Sequence, residues 1–138
     1  MYKDLLNPNS EILNSKQILN PKFECSKHYD LEQRTLEFTK RVINYVNNLP
    51  KNLPNIEISK QLIRSAGSIG ANYIEANEAL GKKDFIMRIK ISRKEAKESC
   101  YWLELAQPKE EYLAEKESLL QEATELMKIF GSIFRKSE

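Results

Sequence analysis

A chain of 138 residues, 41% hydrophobic and 30% charged, can bury a single core and is too apolar for wholesale disorder. Four glycines and five prolines are too few for a turn-rich β fold, and two distant cysteines, Cys25 and Cys100, argue against a disulfide framework. The formal net charge of +2 does not by itself imply a nucleic-acid partner.

The N-terminal segment lacks the apolar stretch of a signal peptide, and no run is long and apolar enough to cross a bilayer. Together with the cysteine usage, this predicts a cytoplasmic protein without a membrane partner. Residues 1–29 form a polar arm in which Asn7, Asn14 and Asn20 open a degenerate short repeat. Asparagine and proline interrupt helices, so a loose leader is expected. Its apolar residues Leu5, Leu6, Ile12, Leu13, Ile18 and Leu19 keep a docking segment as the alternative.

A helical domain is predicted over 30–138. Asp30 can cap its first helix, with Gln33 at capping-box spacing. Leu31, Phe38, Val42, Tyr45, Val46 and Leu49 then share one face. Pro50 and Pro54 separate it from a second helix, from about Asn55 to Leu80. There Ile58, Leu62, Ile69, Tyr73, Ala76 and Leu80 form the core stripe. A further apolar strip, Ile63, Gly67, Gly70 and Ile74, lies round the cylinder. Helical glycine costs about 1 kcal/mol relative to alanine, so this strip predicts close backbone approach and a subunit contact.

Gly81 is expected to stop the second helix in a left-handed conformation, and Asp84 to cap the third. The third helix has a core stripe of Phe85, Ile89, Ala96, Cys100 and Leu103. Pro108 is placed at the start of the fourth, about 109–135, which turns Tyr112, Leu119, Leu120, Ala123, Leu126, Met127, Phe130 and Phe134 inward. Short connections make this an all-α, up-down-up-down antiparallel four-helix bundle.

Catalytic inventory is sparse. The single histidine, His28, lies in the arm, which removes His-based triads, most zinc sites and the Glu-x-x-His pairs of di-metal bundles. No Walker-type loop occurs, and Cys100 on a core stripe reads as a structural thiol. A non-enzyme without cofactor or metal is therefore expected.

Charge is segregated. Lys82, Lys83, Arg88, Lys90, Arg93, Lys94 and Lys97 face only Asp84 and Glu95 in their segment, whereas 98–125 holds eight carboxylates against two lysines. The lysine stripe is either a solvated face or a surface that tracks a phosphate backbone. Met87, Tyr101 and Trp102 can add base stacking there, while Tyr101, Trp102 and Leu105 read equally as a partner interface. Beside the core stripe of the second helix, Gln61, Arg64, Ser68, Asn72 and Glu75 form either a solvated flank or a hydrogen-bonded structural network.

The run from Gln61 to Ala79, with 83–86, 93–99, 101–103 and 122–131, resembles the bacterial four-helix bundle proteins, also called 23S ribosomal RNA intervening-sequence proteins. The resemblance covers about 30–136 and leaves the arm outside. It is also similar to the accessory variability determinant of diversity-generating retroelements, a basic, barrel-like homopentamer that associates with a reverse transcriptase and its RNA. The resemblance implies a homo-oligomer, a pentamer, with Arg64, Ser68, Asn72 and Glu75 as the family signature and Lys83, Lys90, Arg93, Lys94 and Lys97 as candidates for RNA or DNA contact. A scaffold that docks a protein through its acidic fourth-helix side is the competing function.

Overall fold

A computed structural model describes residues 31–138; the arm, His28, Cys25 and the Asp30 cap lie outside them. The described residues form α1 (Leu31–Asn47), α2 (Leu53–Asn77), α3 (Lys82–Leu105) and α4 (Leu113–Ser137), with a 3-10 turn at Glu110–Tyr112 before α4. No helix among them is long and apolar enough to cross a membrane.

The direction of each helix pair follows from who meets whom. Thr35 abuts Gly70 while Thr39 Oγ1 donates to the Ala66 carbonyl, so α1 and α2 run antiparallel. Ser65 bonds Ser99 while Ser92 donates to the Ile69 carbonyl, which fixes α2 against α3. Cys100 meets Thr124 and Arg93 lies over Gly131, reversing α4 against α3. Arg34 reaches Glu122 and Arg41 reaches Glu115, closing α4 back onto α1. The result is an antiparallel four-helix bundle.

Its core joins the four stripes. Phe38, Val42 and Tyr45 meet Leu62 and Ile69, Phe85 and Ile89, and Leu119, Leu126 and Phe130, all fully or almost fully buried. Each such side chain contributes about 1.5–3 kcal/mol by leaving water. Tyr73 and Phe130 pack edge to face at 5.6 Å between centroids. Burial pushes the phenols of Tyr45 and Tyr73 up to about 12.

Four local expectations are corrected. Leu80 is fully exposed, because α2 ends at Asn77 and the following turn carries Leu80 out of helical phase. Gly81 caps α3 in an extended conformation, φ −145°, and Asp84 sits in the first turn of α3. Pro108 belongs to the α3–α4 linker, since the 3-10 turn intervenes before α4. Gly70 is used inside the chain: a Cβ there would lie 2.8 Å from Thr35 Oγ1.

Small buried hydroxyls set the α2–α3 seam. Ser65 Oγ and Ser99 Oγ are 2.9 Å apart, Ser92 Oγ donates to the Ile69 carbonyl at 2.9 Å, and Ser99 also bonds its own helix at Glu95. Serine and alanine in this seam let the backbones approach, and each buried hydroxyl has a partner. The α1–α4 seam is polar instead. Arg34 holds Glu122 through Nε at 2.7 Å and Nη2 at 3.0 Å, and Glu125 at 2.7 Å.

Candidate nucleic-acid interface

Helical phase gathers the cations of α3 on its outward side. Phe85, Ile89, Ser92, Ala96, Ser99 and Leu103 are buried, whereas Lys82, Lys83, Lys90, Arg93, Lys94 and Lys97 are exposed. Lys83, Lys90, Lys94 and Lys97 recur at spacings of seven, four and three, which stacks them down one line. Met87 and Tyr101 lie on the same outer face, 46% and 59% exposed. Lys90 Nζ stands 5.9 Å from the centroid of Phe134 on α4, a cation over an aromatic face. Arg88 departs from the line: half-buried, it donates to Asn72 Oδ1 at 3.0 Å across the α2–α3 seam.

The ion pairs are distributed unevenly. Among the described residues, Glu122 and Glu125 are held by Arg34, Glu115 by Arg41, and Glu95 and Glu98 by Arg64. The indole N–H of Trp102 and the Arg64 guanidinium hold the Glu98 carboxyl below the usual carboxylate range. Much of the acidic segment is thereby engaged within the bundle. None of Lys82, Lys83, Lys90, Arg93, Lys94 and Lys97 has a carboxylate in ion-pair contact, although Lys94 acts on Glu98 through space. Positive charge is therefore left outward on α3.

The polar strip of α2 is divided between two functions. Arg64 bridges to α3, and Asn72 accepts from Arg88 while donating to the Ser68 carbonyl. Ser68 donates back to the Arg64 carbonyl. Gln61 and Glu75 are exposed at the ends of the strip. The buried serines of the seam, Ser65, Ser92 and Ser99, are missed by sequence reasoning, although each falls in phase with a core stripe.

The residues expected at a subunit contact fall on two faces. Gly70 turns to α1, which places Ile63, Gly67 and Ile74 along the α1 side of α2. Ile63 and Ile74 are exposed, and space beside Gly67 is open. Ile56 continues this stripe, seven residues before Ile63, and Leu36 and Ile43 flank it from α1 on either side of Thr39. These three exposed residues complete an apolar face that no single helix pattern reveals. Tyr101 and Trp102 lie on α3 instead, with Trp102 half-buried and tethered to Glu98 at 3.0 Å. Burial pushes the Cys100 thiol up, away from thiolate chemistry, with Thr124 as its neighbour.

Comparison with known proteins matches residues 27–132 to the family described as 23S rRNA-intervening sequence protein. The fold is also that of a solved protein of unknown function from the S23 ribosomal protein family of Bacteroides thetaiotaomicron. That protein is 38% identical, aligned over 75% of this chain and 97% of its own, with a TM-score of 0.65. No curated protein matches the chain.

Proposed function

We propose, from the 23S rRNA-intervening sequence protein family to which this chain belongs, that it is a non-enzymatic bundle that binds the phosphate backbone of structured RNA. The outer face of α3 supplies the contacts. One observation carries this reading: the carboxylates of α3 and α4 are engaged by Arg34, Arg41 and Arg64, while the exposed cations of α3 keep no carboxylate partner. Such a line neutralises phosphates and releases counterions without reading bases. Tyr101 and Met87 on the same face offer stacking to unpaired nucleotides. The same pairing weighs against a docking surface made of α4 carboxylates, since Glu115, Glu122 and Glu125 already face α1.

The test is affinity for an RNA hairpin across about 50–200 mM salt, where backbone binding makes log K fall linearly with log salt. Binding indifferent to salt, or none at the low end, overturns the proposal.

The apolar face formed by Leu36, Ile43, Ile56, Ile63 and Ile74 supports a homo-oligomer, for which the family resemblance suggests a pentamer. Assembly brings several α3 faces to one RNA and raises avidity. Light scattering at low micromolar concentration is expected to give a multiple of the 16.1 kDa chain mass. Ile63→Lys with Ile74→Lys is expected to yield monomer. A wild-type monomer would refute the assembly.

A further inference from the structure

Where α3 crosses the C-terminal half of α4, two arginines converge on one glycine. Gly131 is buried, and the place its Cβ would take lies 3.4 Å from Arg135 Nη1 and 3.6 Å from both Cδ and Nε of Arg93. The two side chains therefore come within the sum of those distances of each other. Neither guanidinium has a carboxylate in ion-pair contact; the ion pairs of the described residues belong to Arg34, Lys40, Arg41, Lys60 and Arg64. Lys90 and Lys97 flank Arg93 on α3 at spacings of three and four, and Lys128 precedes Gly131 by three on α4.

Juxtaposed like charges repel, and this bundle elsewhere supplies each buried-edge arginine with acids: Arg34 has two and Arg64 has two. At Gly131 the acid is missing while the space is kept. Arg135 lies over Gly131 because helical side chains lean toward the N-terminus, and glycine removes the Cβ that would hold Arg93 away. Two forked donor sets around one point match a tetrahedral oxyanion, to which guanidinium binds in bidentate fashion.

The geometry points to an oxyanion cradle formed by Arg93 of α3 and Arg135 of α4 over Gly131, which takes one phosphate group of a nucleic-acid backbone. This deepens the RNA reading above and rests on it for the source of the phosphate. It also adds α4 residues to an interface that the sequence confines to α3. The cradle fixes where the backbone crosses from one helix to the next, and the lysine line extends from it.

The experiment follows the Nε–Hε signals of Arg93 and Arg135 in the full chain during titration with inorganic pyrophosphate at constant ionic strength. A parallel titration uses an RNA hairpin. Both signals are expected to shift together with one binding constant. Arg93→Gln and Arg135→Gln should each weaken pyrophosphate at least tenfold. Gly131→Glu places a carboxylate between the guanidiniums and should abolish the pyrophosphate response while the chain stays folded by circular dichroism. Lys90→Glu with Lys94→Glu should leave pyrophosphate binding within threefold. Unshifted arginine signals, or Gln variants that bind pyrophosphate as the wild type does, overturn the cradle. RNA binding unaffected by the Gln variants overturns it too and leaves the lysine face standing. Pyrophosphate binding at both arginines without RNA binding sinks the RNA reading and keeps the oxyanion site.

Discussion

Simultaneous Lys90→Glu, Lys94→Glu and Lys97→Glu substitution is expected to lower RNA affinity about a hundredfold near 100 mM salt, on the counterion-release scale. The slope of log K against log salt should flatten by about 2–3, at roughly 0.7–0.9 for each phosphate that is no longer neutralised. All three side chains are exposed, and none is in ion-pair contact with a carboxylate, so the substitution removes no structural bond. Stability should therefore change by no more than about 0.5 kcal/mol per site. The matching arginine triple variant keeps the charge and should bind as the wild type does or better. Filter binding or fluorescence anisotropy across a salt series reads both quantities. If the glutamate variant keeps both affinity and slope, the lysines are a solvated face and the phosphates are bound elsewhere.

Asn55→Ala is expected to cost about 3 kcal/mol of stability, because three buried hydrogen bonds disappear at once. Asn55 is 2% exposed at the start of α2. Its Nδ2 donates to the Pro50 and Gln107 carbonyls at 3.1 Å each, and its Oδ1 accepts from the Gln107 N–H at 3.1 Å. One side chain thereby ties the α1–α2 connection to the α3–α4 linker at the same end of the bundle. Alanine leaves the Gln107 amide and two carbonyls without these partners. For a domain of this size the loss corresponds to a fall in Tm of about 10–20 °C. Asn52→Ala is the control: its exposed side chain accepts only from the Asn55 N–H as a helix cap, worth about 1 kcal/mol. Melting followed by circular dichroism separates the two. Equal shifts for both variants would show that Asn55 acts as an ordinary helix-start residue and not as a tie between loops.

Asn55 illustrates what was hidden in the sequence. It stands there as one more asparagine near a proline, and nothing local distinguishes it from Asn52. Its importance comes from Gln107, 52 positions away. The serine seam is a milder case. Ser65, Ser92 and Ser99 are in phase with the stripes of Leu62, Ile89 and Ala96, so their burial was legible, but their partners were not. Leu80 shows the reverse error. Periodicity was extended beyond the point where the chain stops being a helix, and the residue emerges in full solvent.

The polar flank of α2 and the acidic run after Glu98 were each visible as patterns with more than one reading. Distance in space divides them: Arg64 faces Glu95 and Glu98, Arg34 reaches a carboxylate 88 residues later, and the α3 lysines meet none. The apolar strip of α2 was divided in the same way. Gly70 proved to be the seat of Thr35, while Gly67 faces open space.

The four helices, their order and most of the buried faces were set by the sequence alone, because a repeat near 3.6 residues is a local property and short connections force neighbours to reverse. Which charges cancel, which glycine admits which side chain, and which face stays apolar in water were decided only when the helices were placed against one another. Ion pairing and steric contact depend on separations of a few ångströms across the bundle, and no pattern along one helix contains them.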